Sequence, residues 1–446
     1  MTEKDKISVL IITKSPWADN NAAGNTLSNF FGGWKDAEIY NIYCREELPQ
    51  NDICNGYYNI TEKQIIKNIL TPSKIGQVHS NPEIDAIRNS ENYKAARQRE
   101  KETVDYFRNK KSSIYVIARE IIWMFGTWRN KKFNSFLDSK QFDIIFSFAV
   151  NPLYLQKLII HSKKRTNAGL VLYFSDDIFC KKQHLLDALY QAAVTKIINK
   201  SVNMSDRLYG ASQKLCNEYE TIFRKKIDPL YKGCSFEEFS VKETVANPIK
   251  IVYAGNLFYE RWITLGTLAD VIEKLNGDTV KITLEIYTTT KTTPEMEEAL
   301  NRGRSSALMG AKPYDEIKNI LAGADIVLHV ESFQKEAINT TRLSFSTKII
   351  DCMQSGSCLM AIGPSEVASI EYLKNSNCAI VVTDLTKIAE TVRYISENPE
   401  TIVSNAMKLR AYAMENHDIN TVRNKIKDDF DKILLKKHTP EKLSVE

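Results

Sequence analysis

Apolar residues recur along the chain in two alternating rhythms. Short, nearly continuous apolar runs, ISVLIIT (7–13), AEIYNIY (37–43), FDIIFSF (142–148), GLVLYFS (169–175) and RLYGAS (207–212), predict strands. Between them, NPLYLQKLIIHSKKR (151–165) and HLLDALYQAAVTKIINKSV (184–202) repeat apolar residues at i, i+3 and i+4 and predict helices. Strands apolar at nearly every position, separated by helices, are what a parallel sheet covered on both faces requires.

The rhythm breaks at SFEEFSVKETVANP (235–248), which is charged, lacks an apolar period and ends in Pro. It then restarts. IKIVYAG (249–255), VKITLEIYT (280–288), DIVLHV (325–330), CLMAI (358–362) and CAIVV (378–382) predict strands, with helices over 261–275, 314–323, 347–356 and 366–375 between them. The expected architecture is α/β, with two consecutive Rossmann-like, doubly wound domains. The first is expected over 1–240, a linker over 241–248 and the second over 249–416. The remainder, 417–446, reads as an amphipathic helix that crosses back to the first domain, followed by a polar tail.

Composition sets outer limits. With 446 residues, 43% hydrophobic and 26% charged, the chain is long enough for two cores and is neither fibrous nor disordered. A net charge of +5 on this length is too weak a field to argue for a nucleic-acid partner. Eight cysteines without a CxxC and six histidines without ligand spacing indicate neither a disulfide framework nor a metal site. No apolar run is long enough to span a bilayer, and the N-terminus reads as a first strand rather than a signal peptide, so a cytoplasmic location is expected.

One segment stands apart. Residues 93–140 hold twelve Lys/Arg against five Asp/Glu, interleaved with Tyr106, Phe107, Tyr115, Trp123, Phe125, Trp128, Phe133 and Phe136. Basic and aromatic residues together suit an anionic membrane surface, which would make the protein peripheral on the inner face of a membrane. The same composition also suits a helical insertion that covers the first sheet with its charges in water.

Ligands of open α/β sheets lie beyond the carboxyl ends of the strands, which directs attention to the residues just after each strand. After IKIVYAG come Gly255, Asn256 and then Arg261 at a helix start, an arrangement able to hold a phosphate through backbone N–H groups and a guanidinium fork. A tight turn followed by an exposed Arg fits the same residues. The second cluster is Ser346, Thr347 and Lys348 at a helix start, with Asp351 one turn on and on the same face as Lys348. A cation there meets phosphate oxygens and a carboxylate meets sugar hydroxyls, unless the pair is a surface Lys–Asp contact behind an N-cap at Ser346. In the first half, Gly24 and Asn25 lie in the loop after the first strand, where backbone approaches a ligand or merely turns. Asp176 and Asp177 follow GLVLYFS, where they would orient an acceptor hydroxyl or start a helix. His329, inside a strand, reads as a satisfied core residue, and Asp429 and Asp431 as structural.

YAGNLFYERW (253–262), LAGADIVLHVES (321–332) and SFSTKIIDCMQSGSCLMAIGPSEVASIEYL (344–373) give the chain a resemblance to GT-B glycosyltransferases, close to the retaining family 4 enzymes of capsular and other surface polysaccharides. The resemblance implies two Rossmann-like domains facing across a cleft. It implies transfer of a hexose-type sugar from a nucleoside diphosphate to a glycan or lipid-linked acceptor, with no cofactor and no metal. It would place the donor diphosphate against Gly255, Asn256, Arg261, Ser346, Thr347 and Lys348, and the ribose on Asp351, where the family commonly has Glu. Glu331, after DIVLHV, is the acidic candidate at the donor sugar, because the family's E-x7-E spacing is missing: Leu343 stands eight residues before Asp351. In such enzymes the departing phosphate takes the acceptor proton, which fits the lack of an evident general base. The missing spacing leaves a second reading open, a non-catalytic two-lobed binding or scaffold protein of the same fold.

Overall fold

The computed structural model describes residues 6–438 apart from 20, 72–73, 92, 94–112 and 180–184. The chain divides into two compact units. The first comprises Met1–Gly210, Cys216–Pro229 and Arg423–Glu446; the second comprises Ala211–Leu215 and Leu230–Val422.

The first unit is built on an eight-stranded sheet. Its strands are β1 (Ile7–Ile12), β2 (Ala37–Tyr43), β3 (Gly56–Asn59), β4 (Gln77–His79), β5 (Ile144–Phe148), β6 (Gly169–Phe174), β7 (Arg207–Gly210) and β8 (Asp228–Pro229), in the order β4-β3-β2-β1-β5-β6-β7-β8. All pairs are parallel except β3 with β4. Every position of β5 and β6 is buried, as strands covered on both faces must be. The helix Ala22–Phe31 is capped by the Asn21 side chain, which accepts from the Gly24 N–H at 2.8 Å.

That cap corrects one expectation. Gly24 and Asn25 belong to the first turn of this helix rather than to an open loop. Gly24 is buried, and a Cβ there would run into the carbonyl of Ala18, so the glycine serves close backbone packing. From Arg423 on, the terminal helix Ile419–His438 counts with the first unit. Its Asp429 accepts from Tyr209 Oη at 2.6 Å and pairs with Arg207 at 2.8 Å, and Phe430 packs against Phe31 and Trp34. The charged segment 93–140 divides in the same way. Residues 94–112, with Tyr106 and Phe107, lie outside the described residues, as does the Tyr115 side chain. Trp123, Trp128, Phe133 and Phe136 are core residues, and Trp123 stacks on Tyr154 at 4.2 Å between centroids. Among the described residues, the aromatic part of the expected membrane surface is therefore mostly interior, Phe125 being exposed.

The second unit has a six-stranded, all-parallel sheet of β9 (Ile249–Ala254), β10 (Ile282–Tyr287), β11 (Ser306–Gly310), β12 (Ile326–Val330), β13 (Cys358–Ile362) and β14 (Ile380–Val382). Its order, β11-β10-β9-β12-β13-β14, is the Rossmann order, and the direction of winding reverses between β9 and β12. Leu265, Leu268, Ala269 and Ile272 of the helix Arg261–Asn276 fill one side of this core, as their spacing predicts. The segment expected as a linker, 241–248, is fastened to this unit. The buried Asp325 carboxylate accepts from Lys242 at 2.6 Å and from the N–H groups of Ala246 at 3.2 Å and Lys250 at 2.8 Å.

Candidate functional site

The winding reversal brings the ends of β9 and β12 side by side, and the candidate site is built on them. Beyond β9, Tyr259 and Glu260 both take the left-handed conformation, at φ 58° and 59°, and turn the chain into the helix that Arg261 opens. Arg261 is thereby aimed back across the strand ends. Its Nε and Nη2 both donate to Glu331 Oε2, at 3.1 and 2.8 Å. Nε also reaches the Val330 carbonyl at 3.1 Å, and Nη1 donates to Asn256 Oδ1 at 2.9 Å.

Glu331 follows β12, and its side chain is only 4% exposed. Burial raises its carboxyl above the usual carboxylate range, while the Arg261 fork and the nearby Lys348 act to lower it. On its other side stands His329, whose Nε2 lies 3.4 Å from Glu331 Oε1 and is buried without a hydrogen-bond partner. Burial, with Arg261 and Lys348 nearby, pushes this imidazole down to about 3, so it is neutral. The expectation of a satisfied core histidine is thus corrected: the ring is in the core, but one nitrogen is orphaned.

Lys348 opens the helix Lys348–Gln354, and its ammonium rests over the Tyr253 ring, 5.8 Å from the centroid. It occupies the space that a Cβ on Gly255 would need, which is why glycine stands there. Among the described residues, the ammonium has no hydrogen bond or ion pair. Burial, then the charge of Arg261, lowers its pKa to about 8. Two cations therefore converge on this mouth, one neutralised by a buried carboxylate and one without a partner.

The backbone contributes less than the sequence suggests. The Gly255 N–H is spent on the Tyr287 carbonyl at 2.9 Å, and the Leu257 N–H on Thr290 Oγ1 at 3.0 Å. Thr347, not Ser346, precedes the helix, without a side-chain cap, and the Ser346 N–H donates to Ser369 Oγ at 2.9 Å. Asp351 lies one turn past Lys348, and both line a cavity of about 510 Å³, its open mouth included. Tyr314 Oη donates to Asp351 Oδ1 at 3.3 Å, and Lys232 stands 3.7 Å from the same oxygen. Tyr314, Ile317 and Lys318 form the opposite wall. Tyr314 and Lys232 are site residues that no motif announces, and Tyr253, though it opens YAGNLFYERW, reads in the sequence as part of a strand; the one signal for Tyr314 is its place just after Pro313 at a helix start.

The other candidates belong to the first unit. Asp177 Oδ1 accepts from Tyr219 Oη and from the Phe179 N–H, both at 2.9 Å, and the Tyr219 oxygen in turn accepts from the Ile178 N–H. This carboxylate thus organises the turn after β6. Asp176 is exposed beside it and accepts from Ser175 Oγ at 3.2 Å.

The whole chain can be set beside solved structures. HepE of Anabaena in complex with UDP and glucose matches at a TM-score of 0.60 and 11% identity, covering 96% of this chain and 100% of that one. The fold is GT-B. Sucrose-phosphate synthase from Thermosynechococcus elongatus matches at 0.61 and 8% identity, again over 96% and 100% of the two chains. The UDP-forming α,α-trehalose-phosphate synthase from Burkholderia vietnamiensis matches at 0.58 and 8%, over the same shares. No family model and no curated protein sequence matches. At such identities the likeness speaks for the fold.

Proposed function

We propose that the chain is a glycosyltransferase that moves a hexose-type sugar from a nucleoside diphosphate to a glycan or lipid-linked acceptor in surface polysaccharide synthesis. The observation that carries the reading is Lys348, a desolvated ammonium with no hydrogen bond or ion pair among the described residues, at the winding reversal of a Rossmann sheet, with Arg261 beside it. The neighbours of the same fold include structures bound to UDP and to UDP-glucose, which supports a nucleotide sugar as donor. Departure of a nucleoside diphosphate leaves negative charge on the diphosphate, and Lys348 and Arg261 are assigned to neutralise it, in place of a metal ion. Asp351 and Tyr314 are assigned to the ribose and base side of the cavity. Glu331 acts through Arg261 as a positioning residue, and Asp176 remains the exposed carboxylate for orienting an acceptor hydroxyl. The resemblance to family 4 adds retention of configuration, with the leaving phosphate accepting the proton.

The membrane part of the reading has its own support. The helices Glu62–Leu70 and Ser113–Phe125 pack together in the first unit and expose Ile66, Ile69, Leu70, Ile121, Met124 and Phe125, with Leu70 77% and Phe125 66% accessible. Exposed Lys63, Lys67, Lys74, Arg129, Lys131 and Lys132 belong to the same stretches, whose two carboxylates, Glu62 and Glu120, are turned to Arg119 and to the N–H groups of Leu153 and Tyr154. An apolar face with a cationic rim suits an anionic bilayer. No helix of the described residues is long and apolar enough to cross one.

Calorimetric titration with UDP and GDP tests the donor assignment. At least one should bind, and Lys348→Met should weaken it about 10- to 150-fold, the worth of a charged hydrogen bond. Equal binding by the variant overturns the assignment. Arg261 already satisfied by Glu331, together with the missing E-x7-E, keeps the non-catalytic reading in play: binding without transfer, across donors and acceptors, favours it.

A further inference from the structure

The first unit carries a second cationic cluster that the donor site does not use. Its sheet also reverses winding, between β1 and β5, and the residues just past the carboxyl ends there are Lys14 after β1 and Arg45 after β2. The two chains stay paired beyond the strands, Cys44 N–H donating to the Lys14 carbonyl at 3.0 Å, so Lys14 and Arg45 leave the sheet as neighbours. Arg119, from the helix Ser113–Phe125, joins them. Its guanidinium lies 5.5 Å from the centroid of the Tyr154 ring, which stands at the start of the helix after β5, and its Nε is 3.8 Å from Glu62 at the start of the helix after β3. Elements following four adjacent strands thus converge.

The charges do not balance. Among the described residues, Glu62 is the carboxylate facing the group, and Arg119 Nε is buried without a hydrogen-bond partner. Glu120 lies 4.0 Å from Arg119, but its oxygens accept from the N–H groups of Leu153 and Tyr154, each at 3.0 Å. Among the described residues, neither the Lys14 ammonium nor the Arg45 guanidinium has a hydrogen bond or ion pair. Burial, then Arg45 and Arg119, lowers the Lys14 ammonium to about 8, the effect of crowding like charges in a dry place. Such crowding is unfavourable in the empty protein and is relieved by an anion of about two charges. Two guanidinium forks and an ammonium match the oxygens of a phosphate.

We propose that Lys14, Arg45 and Arg119 form a subsite for a phosphate or diphosphate group carried by the sugar acceptor. The acceptor part of this inference rests on the transferase reading; the anion site itself does not. The phosphate can belong to a lipid diphosphate or to a sugar phosphate, and the experiment separates the two.

Full-length protein carrying Lys348→Met, to silence the donor site, is titrated calorimetrically with inorganic pyrophosphate, alone and with Lys14→Met or Arg45→Gln added. Each added change should weaken pyrophosphate binding about 10-fold or more, as expected for a charge-assisted bond. Binding within twofold in both variants overturns the proposal. Arg45→Gln removes no hydrogen bond and should leave the melting temperature unchanged, so it remains informative if Lys14→Met fails to fold. Geranyl diphosphate and glucose 6-phosphate are the further titrants, and dependence on Arg45 for either one supports the acceptor site and names its source. Pyrophosphate binding through Arg45 with neither organic phosphate bound overturns the acceptor assignment. The two readings also fail separately. Nucleoside diphosphate binding that depends on Lys348, with pyrophosphate indifferent to Lys14 and Arg45, sinks this inference alone; the converse sinks the transferase and keeps the anion subsite.

Discussion

Replacing Arg261 by Ala should act on stability as much as on binding, and the reason is Glu331. The carboxylate is 4% exposed and receives two N–H bonds from Arg261, at 3.1 and 2.8 Å on one oxygen. Its neighbour on the other side, His329, is held neutral and makes no hydrogen bond through Nε2. Removing the guanidinium therefore strands a buried carboxylate whose remaining cation is Lys348. Breaking a buried pair by deleting one partner costs about 3–5 kcal/mol. At roughly 2–4 °C per kcal/mol for a domain of this size, Arg261→Ala should melt about 6–20 °C below the parent. Replacing both members, Arg261→Met with Glu331→Gln, removes the uncompensated charge, and most of that loss should return. Scanning calorimetry on the parent, Arg261→Met, Glu331→Gln and the double variant completes a cycle, with Arg261→Ala run beside it and nucleoside diphosphate titrations on the same samples. The double variant should regain stability while still binding the diphosphate weakly. A double variant no more stable than Arg261→Ala, or an Arg261→Ala protein that melts with the parent, would refute the pairing argument and with it the positioning role of Glu331.

Three further outcomes are expected. Because Lys348 has a pKa of about 8 in the free protein, a bound diphosphate must find it protonated; Kd measured from pH 7 to 9 should climb above about pH 8, approaching tenfold per unit, and the Lys348→Met profile should lack this rise. Asp351→Ala should weaken a nucleoside diphosphate about tenfold yet leave pyrophosphate binding unchanged, and equal losses for both ligands would move Asp351 from the ribose to the phosphates. Sedimentation with phosphatidylglycerol vesicles should capture the protein at low salt and release it at high salt, with Leu70→Ser or Phe125→Ser reducing capture several-fold; salt-insensitive or absent binding disposes of the membrane face.

Much of this protein is legible from periodicity alone. The apolar runs of β1, β5, β6, β12 and β13 are buried strands because a two-faced parallel sheet demands apolar residues at nearly every position, and β2, β9 and β10 follow the same pattern with one or two polar positions each. That the residues after β9 and the helix preceding β13 are places to look is likewise readable, since ligands of such sheets gather at strand ends. Strands without a continuous apolar run were not legible: β3 (GYYN), β4 (QVH), β8 (DP) and β11 (SALMG) each mix polar residues or Gly and Pro into a short span. Nor could sequence show that Arg261 spends its fork on Glu331, seventy positions away, or that the Gly255 N–H is taken by Tyr287. It also leaves open whether Gly24 stands at a ligand or in a plain turn, and whether the aromatics of 123–136 meet a membrane or cover the first sheet. Such facts depend on which atoms share a partner or a cavity, and one chain's local pattern carries no record of its distant neighbours. Sequence determined the layers and the ends of the strands; tertiary structure decided which charges there are already answered and which, Lys348, Lys14 and Arg45 among them, have no hydrogen bond or ion pair among the described residues.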